Sequence, residues 1–132
     1  MDANVRNLVH ECSLASDEGR ETFPAIVAKL IDAGIERYHA DLVRSEKTYY
    51  AAGGASEVVP NASVDAKAAT TFSAIGVESA VKAAQSGEIQ YRTFCERVVA
   101  AGCVGYHVSI VGRRVVYYGR SGDSHLEWFP GS

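Results

Sequence analysis

The chain has 132 residues, of which 47% are apolar and 22% are charged, and its formal net charge is −3. These values are typical of a globular protein and exclude an intrinsically disordered chain. The slightly acidic balance, without any basic run, argues against a nucleic-acid partner.

Membrane and export signals are absent from the sequence pattern. No apolar stretch approaches the roughly 20 residues of a membrane-spanning helix. Charged residues interrupt the start of the chain, where a signal peptide would be apolar. Cys12, Cys95 and Cys103 are odd in number and lack Cys-x-x-Cys spacing, so they indicate neither a disulfide framework nor a zinc site. We therefore expect a cytoplasmic protein with no membrane partner.

Two helices are predicted at the start of the chain. The first carries an apolar stripe of Val5, Leu8, Val9 and Cys12. The second begins after Thr22, a plausible N-cap residue, and ends at Gly34, where a left-handed residue would close it. Its apolar residues recur at the spacing of one helix face, and they are Phe23, Ile26, Val27, Leu30 and Ile31.

After Gly34 the apolar period changes to two, which is typical of strands. We predict a strand over residues 35–43, a turn at 44–46, a second strand at 47–51 and a short third strand at 57–59. The alternation places Tyr38 on one face of the first strand. His39 lies on the other face, together with Ile35 and Asp41.

The same order of elements recurs in the second half of the chain. When the sequence is shifted by 68 residues, residues 33–51 align with residues 101–119 without a gap. Seven of the nineteen positions are identical, where average residue usage would give roughly one. The identical residues of the first half are Ala33, Gly34, Tyr38, His39, Val43, Tyr49 and Tyr50, which align with Ala101, Gly102, Tyr106, His107, Val111, Tyr117 and Tyr118.

The repeat predicts the fold class and the domain organisation. We expect one α+β domain over residues 1–132, with repeat one at about 1–60, a connection at about 61–71 and repeat two at about 72–132. A half of about sixty residues could barely bury its own core, so the strands of both halves should join. The prediction is an antiparallel sheet of about six strands with the helices on one face. The strand order is left open.

The second half resembles a known family. Phe94 to Gly102, Tyr106, Tyr117-Tyr118 and the closing Leu126-Glu127-Trp128 are similar to a small bacterial and prophage-borne family catalogued as "phage envelope protein", with YbcV- and YdfO-like members. The resemblance spans nearly the whole chain in length and element order. It implies a single α+β domain of about this size without an established activity, and it supplies no catalytic motif.

The repeated histidines and tyrosines are the candidate site residues. His39 and His107 should look out from the face opposite the helices, with Asp41 and Ser109 two residues further on. Tyr49-Tyr50 and Tyr117-Tyr118 alternate faces, so one ring of each pair should be in the core and the other on the open face. Such a face could bind a small molecule, or it could be the interface of a homodimer.

Catalytic and metal sites are not indicated. Ser109 is not on a nucleophile elbow, and Cys95 falls on a buried helical stripe. Cys103 would share a strand face with His107 but lie roughly 13 Å from it, too far for activation. The histidines are too scattered in sequence for a metal site, and no phosphate-binding or dinucleotide motif is present. We therefore predict no catalytic residues, no metal and no cofactor.

Three hypotheses of function follow. The leading one is a non-enzymatic module that binds a small ligand or another protein through the open sheet face. The first alternative is a small enzyme with histidine acid–base catalysis, which requires a cleft around His107, Tyr117 or Tyr118, and Asp41. The second alternative is a phage-related structural component, which requires higher-order assembly.

Overall fold

The computed structural model describes residues 1–131 and contains four helices and six strands in this part of the chain. The α-α-β-β-β order of elements occurs twice. In chain order the elements are α1 (Ala3–Asp17), α2 (Phe23–Asp32), β1 (Ile35–Asp41), β2 (Glu46–Ala51), β3 (Ser56–Pro60), α3 (Ala74–Gln85), α4 (Tyr91–Ala100), β4 (Cys103–Ser109), β5 (Arg114–Gly119) and β6 (Ser124–Trp128).

The strands form one antiparallel sheet in the order β3-β2-β1-β4-β5-β6. Within each half the strands are linked by short connections, and β1 pairs with β4 at the centre to join the halves. Exchanging the two halves maps this strand order onto itself, so the sheet has an approximate twofold axis between β1 and β4. The predicted α+β class and the antiparallel six-stranded sheet are confirmed. The strand order, which the sequence leaves open, is given by the structure.

Local sequence accounts for the helix ends. Asp2, Thr22 and Ser73 cap α1, α2 and α3, each accepting a hydrogen bond from a backbone N–H of the first turn. Gly34 and Gly102 follow α2 and α4 with φ of 80° and 93°, the left-handed conformation that glycine adopts without strain. The longest helix, α1, has 15 residues. No helix within residues 1–131 is long and apolar enough to cross a membrane.

The core lies between the helices and one face of the sheet. It includes buried residues from all four helices and from both halves of the sheet. From the sheet, Tyr38, Ala40 and Tyr49 of the first half pack with Tyr106 and Val108 of the second. The strand residues between them point to the opposite face, which no helix covers. We call this uncovered face the open face. At its centre lie Arg37, His39 and Asp41 of β1 and Gly105, His107 and Ser109 of β4.

Two β-bulges correct the predicted alternation at the start of β1 and of β4. The register shifts between Ile35 and Arg37, and again between Cys103 and Gly105. A bulge inserts one extra residue and so reverses the side on which the preceding residue points. Ile35 and Cys103 are therefore buried in the core instead of sharing the open face with the histidines, as the plain period of two had placed them.

A test of the core compares two adjacent residues of α2. Leu30 is fully buried, whereas Ile31 is 52% exposed. We expect Leu30→Ala to lower the free energy of unfolding by about 2–5 kcal/mol, because it removes buried methyl groups and leaves a cavity. Ile31→Ala should change it by less than about 1 kcal/mol. Urea unfolding followed by circular dichroism measures both, and equal losses would contradict the assignment of the buried helix face.

Candidate functional site

The strand register arranges the open face in three rows that cross the sheet. The central row contains one residue from each strand, in the order Val58, Thr48, His39, His107, Val116 and Leu126. On one side lies a row that we call the basic row, Ser56, Tyr50, Arg37, Ser109, Arg114 and Trp128. On the other side lies the acidic row, Pro60, Glu46, Asp41, Gly105, Tyr118 and Ser124.

His39 and His107 face each other across the junction of the two halves. Their ring centroids are 4.4 Å apart with an interplanar angle of 33°. Leu42 donates its backbone N–H to Val104 and Ile110 donates to Glu36, so the alternation of the ladder makes His39 and His107 a non-hydrogen-bonded pair. The side chains of such pairs approach most closely. The approximate twofold axis passes between the two rings.

Tyr118 completes this cluster because Gly105 leaves room for it. The hydroxyl of Tyr118 lies 2.6 Å from Nε2 of His39, and its ring stacks near both imidazoles, with centroids 5.9 Å from His39 and 5.5 Å from His107. A Cβ atom on Gly105 would come within 2.5 Å of the Tyr118 hydroxyl and 2.8 Å of the Ala40 carbonyl oxygen. A side chain at position 105 would therefore push Tyr118 off the sheet.

The surroundings of both imidazoles favour their neutral forms. Burial lowers the pKa of His39, and the charge of His107 lowers it further, while Asp41 acts in the opposite direction. Burial also lowers the pKa of His107, with a further contribution from Arg37. Burial raises the pKa of the Tyr118 hydroxyl. At pH 7 the cluster is thus an uncharged aromatic centre with hydrogen-bonding nitrogens.

Asp41 and Ser109 have a structural task at equivalent hairpins. Asp41 Oδ1 accepts hydrogen bonds from the backbone N–H groups of Val43 and Arg44, both at 3.0 Å. Ser109 Oγ accepts one from Gly112 N–H at 2.9 Å. These are the side-chain-to-backbone bonds by which Asp and Ser stabilise turns. Asp41 and Ser109 therefore lie on the open face, as predicted, and their side-chain oxygens accept hydrogen bonds within the turns.

The two tyrosine pairs divide between the faces as expected. Tyr50 and Tyr118 lie on the open face, where the Arg37 guanidinium stacks 3.8 Å above the Tyr50 ring. Tyr49 and Tyr117 are buried beneath the helices. The structure therefore removes Tyr49 and Tyr117 from the candidate site, because a strand cannot present neighbouring side chains to the same face.

The residues that an enzyme of the predicted kind would use divide between the two faces of the sheet. His107, Tyr118 and Asp41 lie on the open face, whereas Tyr117 lies in the core. Asp41 is held in its turn by two hydrogen bonds. A cavity of about 350 Å³ lies along α1 and another of about 570 Å³ along α3, and neither includes a residue of the central row. Within residues 1–131 no group of three or more histidine, cysteine, aspartate or glutamate side chains could hold a metal ion.

A second polar cluster, which the sequence analysis missed, is buried on the helix side of the sheet. Lys47 is only 2% exposed. Its Nζ donates to Ser13 Oγ at 2.9 Å and lies 3.6 Å from Asp17 Oδ1 and 4.6 Å from the centre of the Tyr91 ring. Asp17 Oδ1 is buried without a hydrogen-bond partner among the described residues. Burial lowers the pKa of Lys47, against the opposing effect of Asp17.

The hydrogen-bonded network continues beyond Lys47. The Tyr91 hydroxyl donates to Asn61 Oδ1 at 2.8 Å and lies 2.6 Å from the Tyr106 hydroxyl. Asp17 also lines the cavity along α1, so the outer end of the cluster approaches the surface.

At the symmetry-related place on the helix side, several of these polar groups are replaced by apolar side chains. At the positions shifted by 68 residues, Lys47, Ser13 and Asn61 align with Val115, Val81 and Phe129. Tyr91 aligns with Phe23, and the Tyr91–Asn61 hydrogen bond is replaced by an edge-to-face contact between Phe23 and Phe129 at 5.2 Å. One signal in the sequence indicated this cluster. Lys47 aligns with Val115, which is a core residue.

A family model described as "Protein of unknown function (DUF1398)" matches residues 23–127, most of the chain, which therefore belongs to this family. No protein with curated annotation matches it at a significant level. The matched residues include β1, β4 and the histidine cluster, and the function of the family is unknown.

The buried pair of Lys47 and Asp17 can be tested by replacing both charges. We expect Lys47→Met with Asp17→Asn to leave the free energy of unfolding unchanged or to raise it by up to about 4 kcal/mol, because a buried ion pair loses solvation in the folded state. Either single substitution leaves one buried charge unpaired and should cost about 3–5 kcal/mol. Urea unfolding at pH 7 measures all three, with Lys67→Met on the exposed connection as the control.

The same variants predict a pH dependence. Because the folded-state pKa of Lys47 is lowered, the unfolded chain binds more protons than the folded one between that pKa and the ordinary lysine value near 10.4. The wild type should therefore gain stability relative to the double variant as the pH rises from 7 towards 10. If the difference in unfolding free energy between the wild type and the double variant stays constant from pH 7 to 10, the lowered pKa of Lys47 is contradicted.

Proposed function

We propose that this protein is a non-enzymatic interaction module that forms a homodimer by stacking the open face of one copy on the open face of another. The observation that supports it most is the uncovered face itself. All six strands present a mixed apolar and polar surface there, while all four helices pack on the other side.

The apolar content of the face suits a protein interface. Val58 and Trp128 are each 53% exposed and Leu126 is 39% exposed, and together with Val116 they flank the histidine cluster on both sides. Val116, Leu126 and Trp128 are neighbours on β5 and β6. Contiguous exposed apolar residues on a monomer usually mark an interaction surface. A cluster of aromatic residues surrounded by polar groups is the common composition of protein interfaces.

Charge favours a second copy of the same face as the occupant. Arg37 and Arg114 lie in the basic row, and Glu46 and Asp41 lie in the acidic row, roughly 13 Å away along the strands. A twofold axis in the plane of the interface and parallel to the rows places each basic row on the partner's acidic row. In this orientation Arg37 of each copy opposes Asp41 of the other, and the central rows lie on each other.

The size of the face is close to the lower limit for a specific dimer. Six strands at about 4.8 Å spacing and five residues at about 3.3 Å each give a surface of roughly 25 by 17 Å. Two such faces bury on the order of 1,000 Å² of accessible surface, which reaches the lower range of specific interfaces. Face-to-face packing of antiparallel sheets at about 10 Å is a common arrangement.

Two alternative functions predict a different association state of the protein. A small flat ligand stacked on Tyr118 and the histidines would leave the protein monomeric and raise its melting temperature on binding. A phage-related structural component would form assemblies larger than a dimer.

We also place the module in the cytoplasm, where the buried free thiols of Cys12, Cys95 and Cys103 remain reduced.

A charge placed in the central row should break the homodimer. We expect Val116→Arg to raise the dissociation constant at least roughly a hundredfold, because it buries an unpaired cation in the middle of the interface. Light scattering over a dilution series at pH 8 measures the association state. Trp128, the single tryptophan, lies on the open face and should show an emission shift to shorter wavelength on dimerisation.

The matched control is Ile75→Arg, which places the same charge on α3 at a residue 81% exposed on the helix side. This variant should dimerise like the wild type. A wild type that stays monomeric at high concentration would refute the proposal, and so would equal dissociation of both variants.

A further inference from the structure

We infer that His39 and His107 make the homodimer dependent on pH, so that it is assembled at neutral pH and dissociates in mild acid. This inference rests on the proposed homodimer and adds its regulation. It begins from the position of the two imidazoles on the approximate twofold axis of the sheet, at the centre of the central row.

Stacking two copies brings four imidazoles to one point. Each face contributes His39 and His107, whose rings are already in contact at 4.4 Å. Sheets packed face to face are about 10 Å apart, so side chains from the two faces meet midway between them. The four rings would therefore share a site that the dimer removes from water. Within each copy, Tyr118 covers one side of the pair and hydrogen bonds to His39.

The charges around the pair do not compensate for protonation. On β1 the pair is flanked by Arg37 and Asp41, and on β5 by Arg114 and the uncharged Tyr118. On β2 the nearest residue is Thr48, with Glu46 in the acidic row, where Arg44 pairs with it at 2.8 Å. The residues of the central row on the outer strands, Val58 and Leu126, are apolar. In the stacked orientation Asp41 is opposed by the partner's Arg37.

The direction of the pH effect follows from proton linkage. Protonating a histidine in the dimer places a positive charge next to three other imidazoles in a dry site, so the dimer binds fewer protons than two monomers. Acid therefore favours the monomers. Carboxylates ordinarily titrate near pH 4 and lysines near pH 10, so histidine is the side chain whose charge changes between pH 7.5 and 5.

The experiment measures the dimer dissociation constant by sedimentation equilibrium at pH 7.5 and pH 5. For the wild type we expect the dissociation constant to be at least roughly tenfold higher at pH 5 than at pH 7.5. Such a change corresponds to a dimer that binds about one proton fewer than two monomers, or fewer still. The double variant His39→Gln with His107→Gln should dimerise with little change between the two pH values. The double variant His10→Gln with His125→Gln alters the remaining two histidines and should keep the full wild-type dependence.

A second measurement does not rely on substitutions. Histidine ring protons followed by NMR at low and high protein concentration should show the titration of His39 and His107 moving to lower pH as the dimer fraction increases, because linkage is reciprocal. The ring-proton signals of His10 on α1 and His125 on β6, which are not residues of the open face, should not change with concentration. A dimer with the same dissociation constant at both pH values overturns the inference and leaves the proposed function intact. A monomer at pH 7.5 overturns the proposed function itself.

Discussion

The antiparallel pairing of β1 with β4 is the contact on which the rest of the structure depends. It joins two helix-helix-β-β-β halves into one sheet, and its register sets Tyr38 against Val108, His39 against His107 and Ala40 against Tyr106. A shift of one residue would turn every side chain of one central strand to the other face. The same register thus fixes the core on the helix side and aligns the two histidines on the open side.

The position of the histidines also depends on small residues and bulges around this pairing. Gly105 gives the Tyr118 ring space to lie on the sheet and reach His39. Its counterpart in the first half is Arg37, and there Tyr50 is stacked under the guanidinium instead. The two halves therefore share a backbone but cover their open faces differently. Because Tyr118 crosses towards the junction, the aromatic cluster lies on the axis rather than within one half.

The helix side of the sheet shows a second difference between the halves. Next to β5 the core holds Val115 and the apolar contact of Phe23 with Phe129. At the symmetry-related place next to β2 it holds the buried cation of Lys47 and the hydrogen bonds of Tyr91. A buried ion pair is generally no more stabilising than an apolar replacement of similar volume. The fold therefore does not require the polar cluster. Its outer end at Asp17 borders the cavity along α1, which distinguishes this half chemically from the other.

Local sequence patterns specify the elements and, away from the bulges at Ile35 and Cys103, the face to which each strand side chain points. Periods of 3.6 and 2 follow from backbone geometry, so Leu30 could be assigned to the core, and Tyr49 and Tyr50 to opposite faces, without knowledge of any contact. The cap at Thr22 and the helix end at Gly34 are equally local. The repeat also indicates which positions correspond, and it aligns Lys47 with the apolar Val115.

The packing of the whole chain specifies which strands are neighbours, where the ladder bulges and what each polar group contacts. The contact of His39 with His107 joins residues 68 positions apart and depends on the β1–β4 register. Its partner Tyr118 is 79 positions from His39. Ile35 and Cys103 are in the core because single extra residues shift the ladder. Such arrangements arise from packing of the whole chain, and local periodicity contains no information about them.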